Sequence, residues 1–183
     1  ILEDSNWLLN MVENLLSVTR IQDERGVATV IKTEESLEEV ISSAVGRFRK
    51  RFPEVQVQVC IPESFIMVPM DATLIEQVIN NLLENAYFHS GSHGPIDLQA
   101  SVDGPYVSIA IRDQGNGIRP ELLGTLFDGG GVSDNQTGDS HKGMGIGLTL
   151  CKTIINAHGG HIEASNYDKG ALFTFTLPDW REY

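Results

Sequence analysis

The sequence predicts an α+β fold, a two-layer α/β sandwich in which a mixed, mostly antiparallel sheet packs on helices, preceded by a separate bundle helix. Three observations predict it. Helical and strand patterns intermix along the 183 residues without strict βαβ alternation. The strand-like stretches alternate apolar with polar residues, as a sheet buried on one face requires. Residues 1 to 25 instead carry a seven-residue apolar repeat, the spacing of a bundle helix.

Each element follows in order. Ile1, Leu8 and Leu15, with Met11 and Val18 between them, form one stripe, and Leu9, Val12 and Leu16 form its neighbour. A helix is expected over residues 1 to 25, stopped at Gly26. Val27 to Lys32 reads as a short strand, after which Thr33 and Glu35 open a helix through Leu37, Val40, Ile41, Ala44, Val45 and Phe48. Val55, Val57 and Val59 alternate as a half-buried strand, with a shorter one over Phe65 to Val68. Leu74, Ile75, Val78, Ile79, Leu82, Leu83 and Ala86 place a helix over Ala72 to His89. Strands are expected at Ile96 to Val102 and Tyr106 to Arg112. Asp128 to Gly143 is rich in Gly, Ser, Asn and Asp and is expected to be a mobile loop. A helix over Gly147 to His158 and strands at His161 to Ser165 and Leu172 to Leu177 complete the domain. The chain thus divides into residues 1–26 and a domain over 27–183.

Lys and Arg number 13 against 25 Asp and Glu, a net charge of −12, and such a surface repels a phosphate backbone, so nucleic acid is not an expected partner. Any polyphosphate site needs local cations, backbone N–H groups or a divalent metal to overcome the same field. Cys60 and Cys151 lie far apart in apolar contexts and are expected to be unpaired core thiols of a reducing compartment. No run approaches ~18 consecutive apolar residues, and no signal-peptide layout is present. Because the chain begins mid-pattern at Ile1-Leu2-Glu3-Asp4, it reads as an excised piece, compatible with a membrane-spanning parent.

Three motifs carry chemistry. Asn81-Leu82-Leu83-Glu84-Asn85 sets two carboxamides one helical turn apart on one face. Asp113-Gln114-Gly115-Asn116-Gly117 follows a strand end, offering an acceptor carboxylate and two glycines that admit a flat ligand. Gly143-Met144-Gly145-Ile146-Gly147-Leu148 precedes a helix, where successive N–H groups and the helix dipole suit a polyphosphate. No Gly-Lys-Ser/Thr follows, so this is not a Walker loop, and the glycine spacing is not that of a dinucleotide fold.

In this order the motifs resemble the N, G1 and G2 boxes of sensor histidine kinases, in the ATPase superfamily that also holds gyrase and mismatch-repair ATPases. Phe127 in Thr-Leu-Phe-Asp resembles the F box, and Gly170 to Pro178 the closing strand. Within the family the chain is most similar to the KdpD-type potassium-responsive branch. The resemblance implies a Bergerat-type ATP-binding domain, with residues 1–26 as the second helix of a dimerisation and histidine-phosphotransfer hairpin. It implies ATP and Mg²⁺ as cofactors, a homodimer through the hairpin helix, and a response regulator as partner. Asn85 would ligate Mg²⁺ through its amide oxygen, Asn81 would support that site, and Asp113 would accept from the adenine amino group. Gly115 and Gly117 would admit the base, and His89, Phe127 and Leu148 would line the site. Gly143, Gly145 and Gly147 would shape the lid hinge and phosphate cradle, with Lys142 as the nearby cation.

The chain departs from the family pattern at three places. Phe88 stands where Lys or Arg is usual, Asp128 leads into three glycines instead of a second Phe, and Ala171 replaces a Thr or Ser. A degenerate module kept for dimerisation or partner binding is the competing expectation. A gyrase-like hydrolase is disfavoured because Asn81 occupies the place of its Glu, and a carboxamide is no general base. His89, His93, His141, His158 and His161 lack metal-ligand spacing, and none sits in the acceptor-histidine context, so the fragment alone is not expected to autophosphorylate.

Overall fold

The computed structural model describes residues 2–21, 30–89, 94–128 and 144–179. The elements are α1 (Leu2–Ile21), β1 (Thr33–Ser36), α2 (Leu37–Arg51), β2 (Val57–Cys60), β3 (Met67–Met70), α3 (Ala72–His89), β4 (Ile96–Asp103), β5 (Tyr106–Arg112), α4 (Pro120–Leu123), α5 (Met144–Ala157), β6 (His161–Tyr167) and β7 (Gly170–Pro178). A five-stranded sheet runs β2-β4-β5-β7-β6, and β1 pairs with β3 in a separate two-stranded sheet. Only β2 with β4 is parallel; the other pairings are antiparallel, giving the mixed, mostly antiparallel sheet expected.

Alternation builds the sheet. Val107, Ile109 and Ile111 of β5 are buried and lie opposite Leu177, Phe175 and Phe173 of β7, so one face carries cross-strand pairs of large apolar residues. On β4, Ile96, Leu98 and Ala100 extend that face. Against it lies α3, whose Leu74, Ile75, Val78, Ile79, Leu82 and Leu83 are all buried. Cys151, Ile154 and Ile155 of α5 and Val40, Ile41, Ala44 and Phe48 of α2 flank α3 in the helical layer. Arg51 at the end of α2 forms a 2.6 Å ion pair with the buried Glu84 of α3.

The structure corrects several expectations. Thr33 and Glu35 do not open a helix: Thr33–Ser36 is a strand, and helix α2 starts at Leu37 with Ser36 Oγ accepting from Glu39 N. Val30 to Lys32 is irregular rather than strand, and residues 27–29 fall outside the described part. Cys60 is exposed, not in the core, because the edge strand β2 is covered only at Val57; Cys151 is buried as expected. The helix expected from Gly147 begins three residues earlier, and α4 was not expected. Ile1, residues 22–25 and the expected mobile loop over 129–143 lie outside the described residues.

Helix α1 has two dissimilar sides. Asn14, Ser17 and Ile21 are buried toward the domain, whereas Leu8, Leu9, Val12, Leu15 and Leu16 on the opposite arc are between 46% and 60% exposed. Among the described residues no helix is long and apolar enough to cross a membrane.

Candidate nucleotide site

Helix α3 is preceded by Asp71, whose Oδ1 accepts from Leu74 N at 3.1 Å and so caps the first turn. Its apolar stripe packs it against β4 and β5 and thereby fixes which carboxamides face outward from the core. Asn81 is buried, and its Nδ2 donates to Asn14 Oδ1 of α1 at 3.4 Å. Asn85, one turn on, is half-buried, and its Oδ1 is buried with no hydrogen-bond donor among the described residues. A buried carbonyl oxygen without a donor is unfavourable by about 1–3 kcal/mol, so this atom is suited to an incoming cation or donor. Gly147, in the first turn of α5, lies beside this face: a Cβ there would stand 3.8 Å from Asn81 Cγ.

Asp113 stands at the end of β5, where it is buried. Its Oδ1 accepts from Gly115 N at 2.9 Å and from Ala171 N at 3.1 Å. Its backbone N–H donates to Ala171 O at 3.1 Å, continuing the β5–β7 ladder by one residue. Both side-chain bonds fall on Oδ1, so among the described residues Oδ2 keeps its lone pairs for a ligand. The approach is so close that a Cβ on Gly170 would fall 1.9 Å from Asp113 O, and only glycine fits. Gly117 adopts φ +75°, and the residue after it is clamped: Ile118 N donates to Asn166 Oδ1 and Asn166 Nδ2 donates to Ile118 O, each at 2.7 Å. Sequence reasoning missed Asn166, an ordinary strand-end polar residue with no local signature. The end of β5 pairs with the start of β4, at Asp97 and Arg112, and α3 ends only a short connection before β4. Topology thus brings the C-terminal turns of α3 and the Asp113 turn to one end of the sheet.

A sequence profile for histidine kinase-, DNA gyrase B- and HSP90-like ATPases matches residues 70–181, a span that holds α3, the Asp113 turn, α5 and β7. The chain belongs to this ATPase family. Its relatives place it with the ATP-binding catalytic domains of sensor histidine kinases. The sensor protein KdpD of Clostridium acetobutylicum is 42% identical over 97% of this chain, which spans 20% of that protein's length. The catalytic domain of the histidine kinase ThkA superimposes with a TM-score of 0.71 at 27% identity, covering 81% of this chain and 95% of that one. ThkA in complex with the response regulator TrrA gives 0.73 at 25% identity over 96% of this chain and 49% of that one.

The other residues expected at the site of this ATPase domain fall as follows. Gly145 and Gly147 lie inside the first turn of α5 rather than in a loop before it. Phe127 is half-buried and packs edge-on against Phe173 at 6.3 Å. Leu148 is buried in the core and contributes packing. His89 ends α3 and is half-buried. Lys142 and Gly143 lie outside the described residues. Phe88 packs edge-on with Phe52 at 5.6 Å and against Tyr87 at 4.9 Å. The side chain that replaces the usual cation therefore belongs to an aromatic cluster. Ala171, where a Thr or Ser is usual, donates its backbone N–H to Asp113 Oδ1 at 3.1 Å.

Proposed function

We propose that residues 27–183 bind Mg-ATP and, in a longer sensor kinase, pass its γ-phosphate to a histidine on a dimerisation hairpin of which residues 1–26 form the second helix. The observation that carries the reading is Asn85 Oδ1, a buried acceptor without a donor among the described residues, on the helix face shared with Asn81. Among the described residues no group of three His, Cys, Asp or Glu is placed to hold a metal, so a single amide oxygen, completed by phosphate and water, is the arrangement that fits Mg²⁺. The cation supplies charge neutralisation on the phosphate oxygens during transfer.

The chain's own residues do the rest in this reading. Asp113 Oδ2 accepts the exocyclic amino group of adenine, its position fixed by the two N–H bonds on Oδ1. Gly115 and Gly117 leave room for the ring, and His89 and Phe127 border it. The N-terminal turn of α5, with Gly143, Gly145 and Gly147, presents N–H donors to the phosphates, and Lys142 adds a positive charge. Asn81 holds the magnesium-side face in place. The open apolar arc of α1 suits a hairpin and homodimer, and ThkA's complex with TrrA supports a response regulator as partner. The parent is assigned to a membrane, with this domain on its cytoplasmic side.

One observation favours the competing reading of a non-catalytic module: Phe88 is committed to aromatic packing where a phosphate-binding cation is usual. Calorimetry with ATP, with Mg²⁺ and with EDTA, decides between them. Saturable, Mg²⁺-enhanced binding supports the kinase reading, and its absence at millimolar ligand refutes it. A supplied hairpin carrying the acceptor histidine then tests transfer, with acid-labile label expected on the hairpin and none on this fragment alone.

A further inference from the structure

A chain of buried and half-buried polar side chains joins α1 to the carboxamide face of α3. Ser17 Oγ lies 2.5 Å from Gln77 Oε1 and 2.9 Å from Glu13 O. Gln77 Nε2 donates to Asn14 Oδ1 at 2.7 Å, and Asn81 Nδ2 donates to the same oxygen at 3.4 Å. Asn14, Ser17 and Asn81 are all buried. Amphipathic helices usually dock through apolar residues, and here the apolar arc of α1 faces the other way. The contact with α3 is thus made of amides, whose donor and acceptor ends are distinguishable, so it specifies orientation more than it adds burial.

The orientation propagates. With Ser17 donating to Gln77 Oε1, the Gln77 amino group must face α1, where it meets Asn14 Oδ1. That oxygen in turn receives the Asn81 amino group, which leaves Asn81 Oδ1 as the end turned away from Asn14. Asn81 also lies beside α5, where a Cβ on Gly147 would stand 3.8 Å from its Cγ. Asn81 of α3 therefore bonds to α1 and lies against the first turn of α5.

We propose that Asn14 and Gln77 are positioning residues that set the rotamer of Asn81, so that magnesium-dependent nucleotide affinity is coupled to the docking of α1. The proposal rests on the assignment of Asn81 and Asn85 to the magnesium side of the site. Because coupling is reciprocal, a nucleotide bound with magnesium strengthens the docking of α1 by the same factor by which docking strengthens binding.

The test uses the full chain and ADP as probe, titrated calorimetrically with Mg²⁺ and again with EDTA. Asn14→Leu removes both bonds to Asn81 and Gln77 at similar volume. It is expected to weaken Mg-ADP binding by about fivefold to tenfold, the factor for one net hydrogen bond, while ADP in EDTA changes by less than about twofold. Gln77→Met, which leaves the Asn14–Asn81 bond in place, is expected to give a smaller loss with the same dependence on Mg²⁺. In the wild type, Mg-ADP is expected to slow amide exchange across α1, and in Asn14→Leu it is not. Equal losses with and without Mg²⁺, or no loss in either variant, would overturn the proposal, since a merely structural contact has no reason to discriminate. Asn85→Ala separates the two ideas. If it abolishes the Mg²⁺ enhancement while Asn14→Leu keeps it, the coupling alone is wrong; if it retains the enhancement, the magnesium assignment fails and the coupling with it.

Discussion

Replacing Asp113 by Asn tests the adenine-recognition assignment with little disturbance to the fold. Two N–H groups, from Gly115 and Ala171, point at Oδ1. An Asn side chain must keep its carbonyl oxygen there, because the flipped orientation would set an amide donor against two backbone donors. Its NH₂ group is consequently forced into the place of Oδ2. Both structural bonds survive as neutral rather than charge-assisted bonds, a change of about 1 kcal/mol or less, so Tm should fall by no more than about 4 °C. Binding responds differently, for a donor now meets the amino group of adenine. The lost bond and the unsatisfied pair together cost about 1 to 3 kcal/mol, equivalent to about 5- to 150-fold in Kd. Calorimetric titration of ADP into Asp113→Asn, alongside a thermal melt, measures both quantities. A variant that melts like wild type and binds within about threefold of it would show that Asp113 does not recognise the base.

Three other predictions follow from separate features. Asn166→Ala removes both bonds that clamp Ile118; with the side chain exposed, the fold should persist, and ADP affinity should fall about tenfold by calorimetry. His158 is buried, with Nδ1–H donating to Ile154 O at 2.7 Å and Nε2 accepting from Asp71 N at 3.1 Å, so the neutral ring is the one that fits. Burial, aided by Lys32, holds its pKa below the ordinary 6.5 against the opposing pull of Ile154 O and Asp71. The unfolded chain therefore binds the extra proton first, so stability from this site is complete above pH 6.5 and declines as pH falls below it. Melts from neutral to mildly acidic pH should show a fall in Tm that is shallower in His158→Gln, and an equal slope in both would refute the assignment. Burial pushes the Cys151 thiol up to about 12, while Cys60 is exposed. Iodoacetamide at mildly alkaline pH should alkylate Cys60 and reach Cys151 only on unfolding, as peptide mass mapping would show.

What was legible in the sequence was what local pattern dictates. The bounds of α3 and β5 were read correctly, because each is a strong amphipathic repeat with a clear start and stop. Strand β1 was not legible: Thr33-Glu34-Glu35 carries helix-start chemistry, and its strand character comes from pairing with Met67–Met70, about thirty residues on. Cys60 was misjudged because an apolar setting in sequence says nothing about whether a helix covers that end of an edge strand. Asn81, Asn85, Asp113, Gly115 and Gly117 could be singled out in the sequence because their motifs are local, two carboxamides one helix turn apart and an acidic residue before paired glycines. Asn14, Gln77 and Asn166 act across 48 to 67 positions, as polar residues common on any surface, and only the tertiary structure singles them out.

The placement of β7 has a consequence for synthesis. It is the seventh strand in the chain, yet it lies between β5 and β6 and supplies the partner for the buried face of β5. A ribosome delivers β5 about sixty residues before that partner, so a nascent chain holds an open seam of Val107, Ile109 and Ile111 until β7 emerges. Asp113 is subject to the same delay, since one of its two fixing donors is the amide of Ala171. The nucleotide site assigned here is therefore among the last features to form, and a stalled or prematurely ended chain would be a sticky client for chaperones rather than a partly active kinase domain.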